Sequence, residues 1–501
     1  MTTIFPQSSH TWFEHDLLRR VTQFLHDQQQ EAYLVGGAVR DGLLGNIHQC
    51  NDLDLVVPSN ACEIAKKLAN HFQVPFFAID IQRDVGRVIL PDTYIDVAAF
   101  RPGTQSLIED LQARDFTINA IAFRLDEQNP ELIDPTNGMA DLESSIIRHT
   151  NELAIMDDFL RAVRAIRFAV KFQFDIDADT CEFIDDVYTF RYISPERLRD
   201  ELHKLLQLSN PKRVFKLLNE LNLLPLLFPE VVAMIGVEQS PPHHLDVFEH
   251  TMLVMTNWQQ HGMLHVHCFD FLNPLKLQLH DYFSTKLAGE VSRYSLMAWV
   301  ALLHDVGKPQ TFQHDENGRI RFFNHENIGK DIAHKMIKKM RFSDKAKQFI
   351  TTIVQLHMRP LQLSNEKKVT RRAIYRFLEA SKDTAPAIAI FSLMDSLGTY
   401  PESAIFCGER NGFRTPTEEE SASRCEWEKL THVVLTICQK YFEPKPPPLL
   451  TGRDIIEVFG MEPSPQIGTI LKAVREAQIL EEINSKEEAI NWIIHRVEGE
   501  Q

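Results

Sequence analysis

Two aspartates in the first hundred residues have the spacing of a metal site. Asp52 and Asp54 lie in the run NDLDLVV, downstream of the Gly36-Gly37 pair in LVGGAVRD. Because residues i and i+2 of a strand project to one face, the two carboxylates would face the same side. Paired carboxylates can hold Mg²⁺ against a nucleoside triphosphate. Glycine lets the backbone approach a phosphate closely, and a following helix would bring Arg40 near that phosphate.

Taken alone, a glycine pair and an Asp-x-Asp pair are weak signals, but their order and spacing are more specific. Together they resemble the signature of the polymerase-β nucleotidyltransferase superfamily. Members of that superfamily usually add a third carboxylate from a later strand, and Asp96 in TYIDVAAF stands at the matching position. The resemblance implies that Asp52, Asp54 and Asp96 form the catalytic group of a nucleotidyl transfer.

Two later motifs narrow the resemblance. The segment EDLQARDFTINAIAF resembles the RRDFTINA motif of class II tRNA nucleotidyltransferases and bacterial poly(A) polymerases, with Ala113 in place of the first arginine. The segment MDDFLRAVRAIRF resembles the EDxxRxxRxxRF helix of the same family, with Asp157 in place of the glutamate. The resemblance extends over residues 33–234.

Family membership would assign nucleotide-binding roles to a set of side chains in these motifs. Together with Gly36, Gly37 and Arg40, they are Arg114, Asp115, Asn119, Asp158, Arg161, Arg164 and Arg167. In the family, Asp158 and Arg161 would read the base edge of CTP or ATP without a template. A wrong base would leave buried polar groups unpaired, at a cost of about 1–3 kcal/mol per group.

A second cluster of potential ligands lies in the middle of the chain and resembles the HD-domain series. Its members are His250, His304, Asp305, His325, His357 and Asp395. Imidazole and carboxylate ligands suit Mn, Fe, Ni, Co or Zn, and Mg is compatible. A metal-bound hydroxide would be the nucleophile of a phosphohydrolase.

Within this cluster the resemblance implies unequal roles. His250, His304, Asp305 and Asp395 are the expected ligands, whereas His325 and His357 would complete a second metal site or bind phosphate. His304 and Asp305 are adjacent, so both can face one metal only at a helix end. We expect Gly307 to permit that ending.

The elements that must position these residues can be read from hydrophobic periodicity. Short β-branched runs at 32–35, 53–57, 85–90 and 94–98 predict strands, and 61–72 has helical spacing. After residue 157 the pattern is mainly helical. With the resemblance, this predicts an α+β protein whose polymerase-β-like head with a mixed sheet precedes an all-α neck, an HD domain and a helical tail. The expected boundaries are 1–150, 151–236, 237–410 and 411–501.

Charge is unevenly distributed along the 501 residues. The chain has a net charge of −16, yet residues 311–376 contain 15 Lys and Arg against 6 Asp and Glu. This segment is either a set of solvated helix faces or a surface that contacts phosphates. The final segment LLTGRDIIEVFGMEPSPQIG resembles the family's C-terminal element, which implies an RNA-docking tail.

Composition indicates a cytoplasmic protein. The seven cysteines include no CxxC pair, so neither a disulfide framework nor a zinc ribbon is indicated. No apolar run reaches the roughly 20 residues that cross a bilayer. Near the N-terminus, Glu14 and Asp16 interrupt any apolar stretch, so we expect no signal peptide.

These observations favour template-independent addition of CMP and AMP to the 3′ end of tRNA, with CTP, ATP, tRNA and Mg²⁺ as partners and a second phosphohydrolase activity in the HD domain. Only residues 101–106 separate the third-carboxylate strand from the next motif region, and such a short loop resembles enzymes that add CC alone. CC-only or A-only addition and poly(A) synthesis therefore stay open. A different class, an HD hydrolase or RNA-binding protein with an inactive head, also remains.

Overall fold

The computed structural model describes residues 15–45, 52–91, 93–126, 131–185, 193–262, 267–289, 291–400 and 418–498. It contains two compact units, residues 1–223 and residues 224–501, which are described separately below. Across the described residues, we find no helix with the length and apolar character of a membrane span.

The first unit is built on a seven-stranded sheet with the order β3-β4-β5-β2-β1-β6-β7. Its strands are β1 Tyr33–Val35, β2 Asp52–Val57, β3 Phe76–Asp80, β4 Val85–Ile89, β5 Tyr94–Ala99, β6 Ala122–Arg124 and β7 Leu132–Ile133. Strands β2 and β5 are parallel, whereas the other neighbours are antiparallel. The predicted mixed sheet is confirmed, and β3, β6 and β7 add to the four predicted strands.

The strand register places the functional carboxylates side by side on one face. Asp54 on β2 is paired with Asp96 on β5, and Asp96 is paired with Arg87 on β4. One pleat away, Asp52 is paired with Tyr94. Since residues paired across strands project to the same face, these side chains share one surface of the sheet.

The opposite face of the sheet is covered by the helix α3 Ala61–Phe72, whose bounds match the prediction. Its residues Ile64, Ala65 and Leu68 are buried. A Cβ atom at Gly86 would lie 2.9 Å from the side chain of Ala65, so this position needs glycine for the helix to pack closely on β4. With one face covered, the carboxylate face is the one available for chemistry.

Nine more helices are described in the first unit. They are α1 Asp16–Asp27, α2 Gly37–Leu43, α4 Leu107–Gln112, α5 Gly138–Ser144, α6 Leu153–Asp157, α7 Leu160–Phe172, α8 Ala178–Asp185, α9 Pro195–Leu206 and α10 Pro211–Glu220. Helix α9 begins with Ser194, whose side chain caps the backbone N–H of Arg197, and has a proline at its first position. The described part of the neck is mainly helical, and its strand β9 Asp175–Ile176 pairs with β8 Ile146–Ile147 at the end of the head.

The second unit is mainly helical in its described residues. Its helices are α11 Leu224–Leu227, α12 Pro229–Val232, α13 Val247–His261, α14 Lys276–Ser284, α15 Arg293–Leu303, α16 Lys308–Thr311, α17 His325–Lys339, α18 Asp344–Leu356, α19 Arg359–Ser364, α20 Arg371–Ser381, α21 Ala385–Thr399, α22 Glu418–Phe442, α23 Gly452–Phe459, α24 Pro465–Ile479 and α25 Lys486–Glu498. Two hairpins, β10 Lys286–Ala288 with β11 Val291–Ser292 and β12 Phe312–His314 with β13 Ile320–Phe322, add to the predicted all-helical pattern.

Two of these helices form the centre of the second unit. Every residue of α15 from Leu296 to Leu303 is buried, and α21 is buried along almost its whole length. Helices that are apolar on all sides belong in a protein interior. Polar residues at the end of α15 and within α21 are therefore held in a rigid, dry environment.

The predicted tail is helical and has its own small core. Thr451 and Asp454 form a reciprocal capping box at the start of α23, and Gly460 ends that helix in the left-handed conformation. The buried residues Ile455, Ile467 and Ala489 belong to a separate apolar cluster that joins the last three helices.

Candidate active site and metal centre

The turn between β1 and α2 brings the backbone against the carboxylates. Gly36 has φ +70°, a conformation that favours glycine. A Cβ atom added there would lie 3.3 Å from Arg114 Nη1 and 3.6 Å from Asp54 Oδ2. Glycine is thus favoured at this position both by the backbone conformation and by the close approach of Arg114 and Asp54.

Three carboxylates gather beside this turn on adjacent strands. Asp96 accepts two hydrogen bonds of 2.7 Å from Arg87, and Tyr94 donates its hydroxyl hydrogen to Asp52 over 2.9 Å. Burial raises the pKa of Asp54 to about 6; Arg114 opposes this rise, whereas Asp96 and Asp52 add to it. Carboxylates that disfavour each other's ionisation fit a divalent cation, which would relieve their repulsion.

Next to the carboxylates lies a cavity of about 680 Å³ within the first unit. Nine arginines and lysines and six carboxylates line it, so it carries excess positive charge although the whole chain is acidic. All ten residues predicted to bind nucleotide contribute to its lining, as do Asp52 and Asp54. A cavity of this size and charge suits a small polyanion.

One aromatic ring organises the cationic wall of the cavity. The guanidinium carbons of Arg40, Arg164 and Arg167 lie 5.2, 5.3 and 4.2 Å from the ring centre of Phe168. A cation over an aromatic face is stabilised by the quadrupole of the ring. Phe168, which the sequence analysis did not assign to the site, therefore holds three like charges near one another.

Buried hydrogen bonds link the three N-terminal motifs. Arg40 donates to Asn119 Oδ1 over 2.6 Å, and Asn119 donates to Asp115 over 3.0 Å. Asp115 also accepts bonds of 2.8 and 2.6 Å from Arg164. Burial would raise the pKa of Asp115, but Arg164 and Asn119 outweigh it and lower the pKa to about 2. This carboxylate positions its neighbours, because its oxygens bind groups of the protein.

The predicted base-reading residues have separate partners. Asp158 lies between α6 and α7 rather than on the helix, and its carboxylate forms an ion pair with Arg197. Arg161 donates to the backbone carbonyl of Ala154 over 2.9 Å. Asp158 therefore precedes the helix that carries Arg161, and both residues line the same cavity.

Helix α9 lines the cavity with four charged residues that sequence reasoning missed: Arg197, Asp200, Glu201 and Lys204. Arg197 pairs with Asp158, and Glu201, one turn later, pairs with Arg167. The two residues share a helix face at i and i+4. The i and i+4 spacing of Arg197 and Glu201 can be read from the sequence. The pairing of Arg197 with Asp158, 39 positions away, cannot, since the motif series ends before α9.

The six predicted HD residues meet inside the second unit. His250 Nε2 lies 3.0 Å from Asp395 Oδ1 and 3.4 Å from His304 Nε2. The ligand atoms form two groups that share Asp305: His250, His304 and Asp305, and Asp305, His325 and His357, each within 4.8 Å. Asp305 is thus placed to bridge two cations.

The imidazoles of this centre are oriented as metal ligands. The Nδ1 atoms of His304, His325 and His357 donate to backbone carbonyls over 2.8–2.9 Å, which directs each Nε2 atom inward. Among the described residues, the buried Nε2 atoms of His325 and His357 have no hydrogen-bond partner. They lie 3.5 and 3.8 Å from Asp305 Oδ1, which leaves a gap where a cation fits. Burial lowers the pKa of His357 to about 4, so its imidazole is neutral.

A lysine that was not predicted completes the centre. Lys308 Nζ lies 2.7 Å from Asp305 Oδ2 and 2.6 Å from Gln239 Oε1. Burial would raise the pKa of Asp305, but His304 and Lys308 outweigh it and hold the pKa well below its usual range. The carboxylate is thus ionised and ready to coordinate a metal.

Gly307 has a different role from the one expected. Its φ of −83° is ordinary, so it is not the left-handed cap of a helix. A Cβ atom there would lie 2.1 Å from the carbonyl oxygen of His325. Glycine lets α16 pack against the start of α17, and this contact places His325 beside Asp305.

The basic segment 311–376 is neutralised in part by the tail. Arg371 and Arg372 form ion pairs with Glu481 and Glu482, and Arg376 pairs with Glu476. These three cations are therefore already paired with carboxylates of the tail. The phosphate-contacting interpretation stays a prediction for the remaining basic residues.

Comparison with known proteins supplies the family context. Family models match residues 32–148 (Poly A polymerase head domain), 173–235 (Probable RNA and SrmB-binding site of polymerase A) and 282–398 (HD domain). The A-adding tRNA nucleotidyltransferase of Deinococcus radiodurans is 30% identical over 91% of this chain and 94% of its own. The CC-adding tRNA nucleotidyltransferase of Thermus thermophilus is 27% identical, covering 93% and 94%. A solved complex of a CCA-adding enzyme with CTP shares the fold, with a TM-score of 0.58, 19% identity and 99% coverage of both chains.

Proposed function

Since the chain belongs to the tRNA nucleotidyltransferase family, we propose that it adds CMP and AMP from CTP and ATP to the 3′ end of tRNA to form CCA. One observation carries the proposal: Asp52, Asp54 and Asp96 share a sheet face that adjoins the cationic cavity and the Gly36 turn. Carboxylates for a metal and cations for a triphosphate are the two requirements of nucleotidyl transfer.

The residues divide the reaction between them. Mg²⁺ held by Asp52 and Asp54 would supply the charge that activates the α-phosphate and the RNA hydroxyl. The 3′-hydroxyl of the RNA gives up its proton to water, and its oxygen forms a bond to the α-phosphorus. The bond from that phosphorus to the bridging oxygen breaks, and pyrophosphate leaves. Arg40 and Arg114 line the cavity and neutralise the triphosphate charge.

Base choice is assigned to Asp158 and Arg161. A carboxylate accepts a hydrogen bond from the amino group of cytosine or adenine, and a guanidinium donates to a ring nitrogen or carbonyl. Uracil offers no amino group, and guanine presents a carbonyl at the corresponding position. Both would oppose the carboxylate with an acceptor, which leaves polar groups unpaired.

The decisive experiment uses tRNA transcripts that end before CCA, after C and after CC. Each is incubated with CTP alone, ATP alone or both, and products are counted at single-nucleotide resolution. Addition that stops after completing CCA supports the proposal. Addition of C only, of a single A only, or of long A tails would assign one of the narrower activities instead, and Asp54→Asn provides the inactive control.

A second activity is favoured by the HD centre: a metal-dependent phosphohydrolase. Two ligand groups around Asp305 and two buried, unpartnered imidazole nitrogens support two divalent cations such as Mn, Fe, Ni, Co, Zn or Mg. The assay follows hydrolysis of 2′,3′-cyclic phosphates and phosphomonoesters with each metal in turn. If no metal stimulates hydrolysis, the centre is structural.

The organisation of the chain forms part of the proposal. We assign nucleotidyl transfer to residues 1–150, base selection to 151–236, hydrolysis to 237–410 and RNA docking to 411–501. The proposed tRNA substrate is consistent with a cytoplasmic location. Variants with residues 411–501 removed should bind tRNA more weakly while retaining CTP binding.

A further inference from the structure

An exposed apolar surface lies on the same sheet face as the catalytic carboxylates. Strand β3 is the edge of the sheet, and Phe77 on it is 60% exposed. Ile89, at the end of β4, is 43% exposed, and Pro75, which precedes β3, is also exposed. We call Pro75, Phe77 and Ile89 the apolar platform.

The register connects this platform directly to the catalytic group. Phe77 is paired with Arg87, Arg87 with Asp96, and Asp96 with Asp54, in one row across four strands. The next row on the same face joins Ile89 to Tyr94 and Asp52. With neighbouring strands about 4.8 Å apart, Phe77 lies roughly 10 Å from Asp96.

We propose that the apolar platform holds the single-stranded 3′ end of the acceptor RNA by base stacking on Phe77. This inference rests on the proposed function and names where its RNA substrate lies. Stacked nucleotides rise about 3.4 Å each, so a base on Phe77 would be about three nucleotides from the hydroxyl that reacts beside Asp96.

The chemistry along the row fits RNA. Arg87 lies between Phe77 and Asp96, with its guanidinium carbon 3.7 Å from the ring centre of Tyr94. Unpaired bases stack on aromatic side chains and arginine planes, and arginine also attracts the phosphate backbone. The platform and the carboxylates lie on one face of the sheet, in rows that run across neighbouring strands.

Stacking also suits an enzyme whose substrate changes with each addition. Every base presents an aromatic face, so stacking tolerates different sequences. The base on Phe77 would change from the nucleotide before CCA to the first C as the end grows. A platform that read base edges would favour one of these intermediates over the others.

The test compares Phe77→Ala, Phe77→Leu and Phe77→Trp with Ile108→Ala, a half-exposed apolar residue on α4 that lies off the platform. We expect Phe77→Ala to raise KM for a tRNA transcript ending before CCA by about tenfold, as lost base stacking predicts. KM for CTP should stay within about twofold of wild type on the same argument. Phe77→Trp should keep the KM for RNA near the wild-type value, because tryptophan stacks on a base. Phe77→Leu should raise this KM as Phe77→Ala does, because leucine has no aromatic ring.

A binding measurement separates this inference from the proposed function. The test uses tRNA that carries 2-aminopurine at the third nucleotide from its 3′ end. Its fluorescence should change when it binds Asp54→Asn protein, and adding Phe77→Ala to that protein should remove the change. A wild-type protein that adds no nucleotide would overturn the proposed function, while the fluorescence still tests the platform. An unaltered RNA KM and fluorescence in Phe77→Ala overturn the inference. Loss of a dimer in sedimentation without any effect on RNA would identify the platform as a contact between copies, which also overturns it.

Discussion

Asp158 forms its ion pair with Arg197, 39 positions further along the chain, so α9 determines how this carboxylate is presented to the nucleotide cavity. The pair is partly exposed, with side-chain exposures of 27% for Asp158 and 58% for Arg197. Exposed ion pairs contribute little to stability, so its importance is expected to lie in orientation.

Arg197→Ala should therefore reduce base selectivity more than stability. Without Arg197 the Asp158 carboxylate keeps the hydrogen bond from the Leu160 backbone N–H but loses the ion pair on its other oxygen. We expect discrimination of CTP against UTP to fall by about tenfold, in the range of one charge-assisted hydrogen bond. Competition assays with mixed nucleotides measure this ratio. Arg199→Ala removes a neighbouring cation of α9 and serves as control; equal selectivity in both variants would contradict the role of Arg197.

Asp52→Asn and Asp54→Asn should each lower nucleotide addition by more than about 100-fold, the scale seen when a group that stabilises the transition state is lost. The amide retains the shape of the side chain but loses the charge that holds the cation. Binding of tRNA, measured by filter retention, should remain near the wild-type level. Asp27→Ala on α1 controls for the loss of one surface charge. Wild-type turnover in either Asn variant would show that the substituted carboxylate is not needed for the reaction.

Gly36→Ala tests the turn against a matched glycine. Gly36 and Gly45 both have positive φ, at +70° and +81°. Among the described residues, side-chain atoms lie within 4 Å of the position that a Cβ atom would occupy at Gly36, and none do at Gly45. Both alanine variants should lose about 1 kcal/mol of stability from backbone strain. Only Gly36→Ala should also lose activity, because its methyl group displaces Arg114 and Asp54. Equal activities would show that close approach at Gly36 is unimportant.

Asp305→Ala should remove both cations of the HD centre at once, because this carboxylate belongs to both ligand groups. Metal content after dialysis is measured by mass spectrometry, and hydrolysis of a cyclic phosphate is measured in parallel. Nucleotide addition by the first unit should be unaffected. Asp281→Ala, at an exposed position on α14, is the control. Retention of one full equivalent of metal by Asp305→Ala would show that the two ligand groups act independently.

The strands and helices that carry regular patterns were predictable from sequence. Short apolar or β-branched runs identified β1, β2, β4 and β5, and helical spacing gave the bounds of α3. Strand β3 was missed although it now forms part of the platform, since FFAID contains one β-branched residue, Ile79, and carries no motif. Its exposed phenylalanine at position 77 contradicts the expectation that an apolar run is buried.

The site was predictable where motifs are local and unpredictable where partners are distant. The spacing of Asp52 and Asp54 placed both on one strand face, and the HD series identified all six residues that meet in the second unit. The partners Arg197 and Lys308 depend on how separate helices pack, which no local pattern encodes. Gly307 was predicted to end a helix, but glycine is needed there for a close contact with the start of α17. Backbone propensity does not predict a contact between two helices.

The arginines around Phe168 are expected to make the stability of the first unit depend on the concentration of nucleotide. Nine cationic side chains converge on one cavity, and only six carboxylates balance them, so the cavity without nucleotide is opposed by its own charge. A triphosphate cancels that repulsion and thereby becomes a structural component of the first unit. By mass action, nucleotide at about 100 times its Kd adds about 2.7 kcal/mol to the free energy of unfolding. A cell depleted of CTP and ATP would then hold this protein in a form that is both idle and more easily unfolded and degraded.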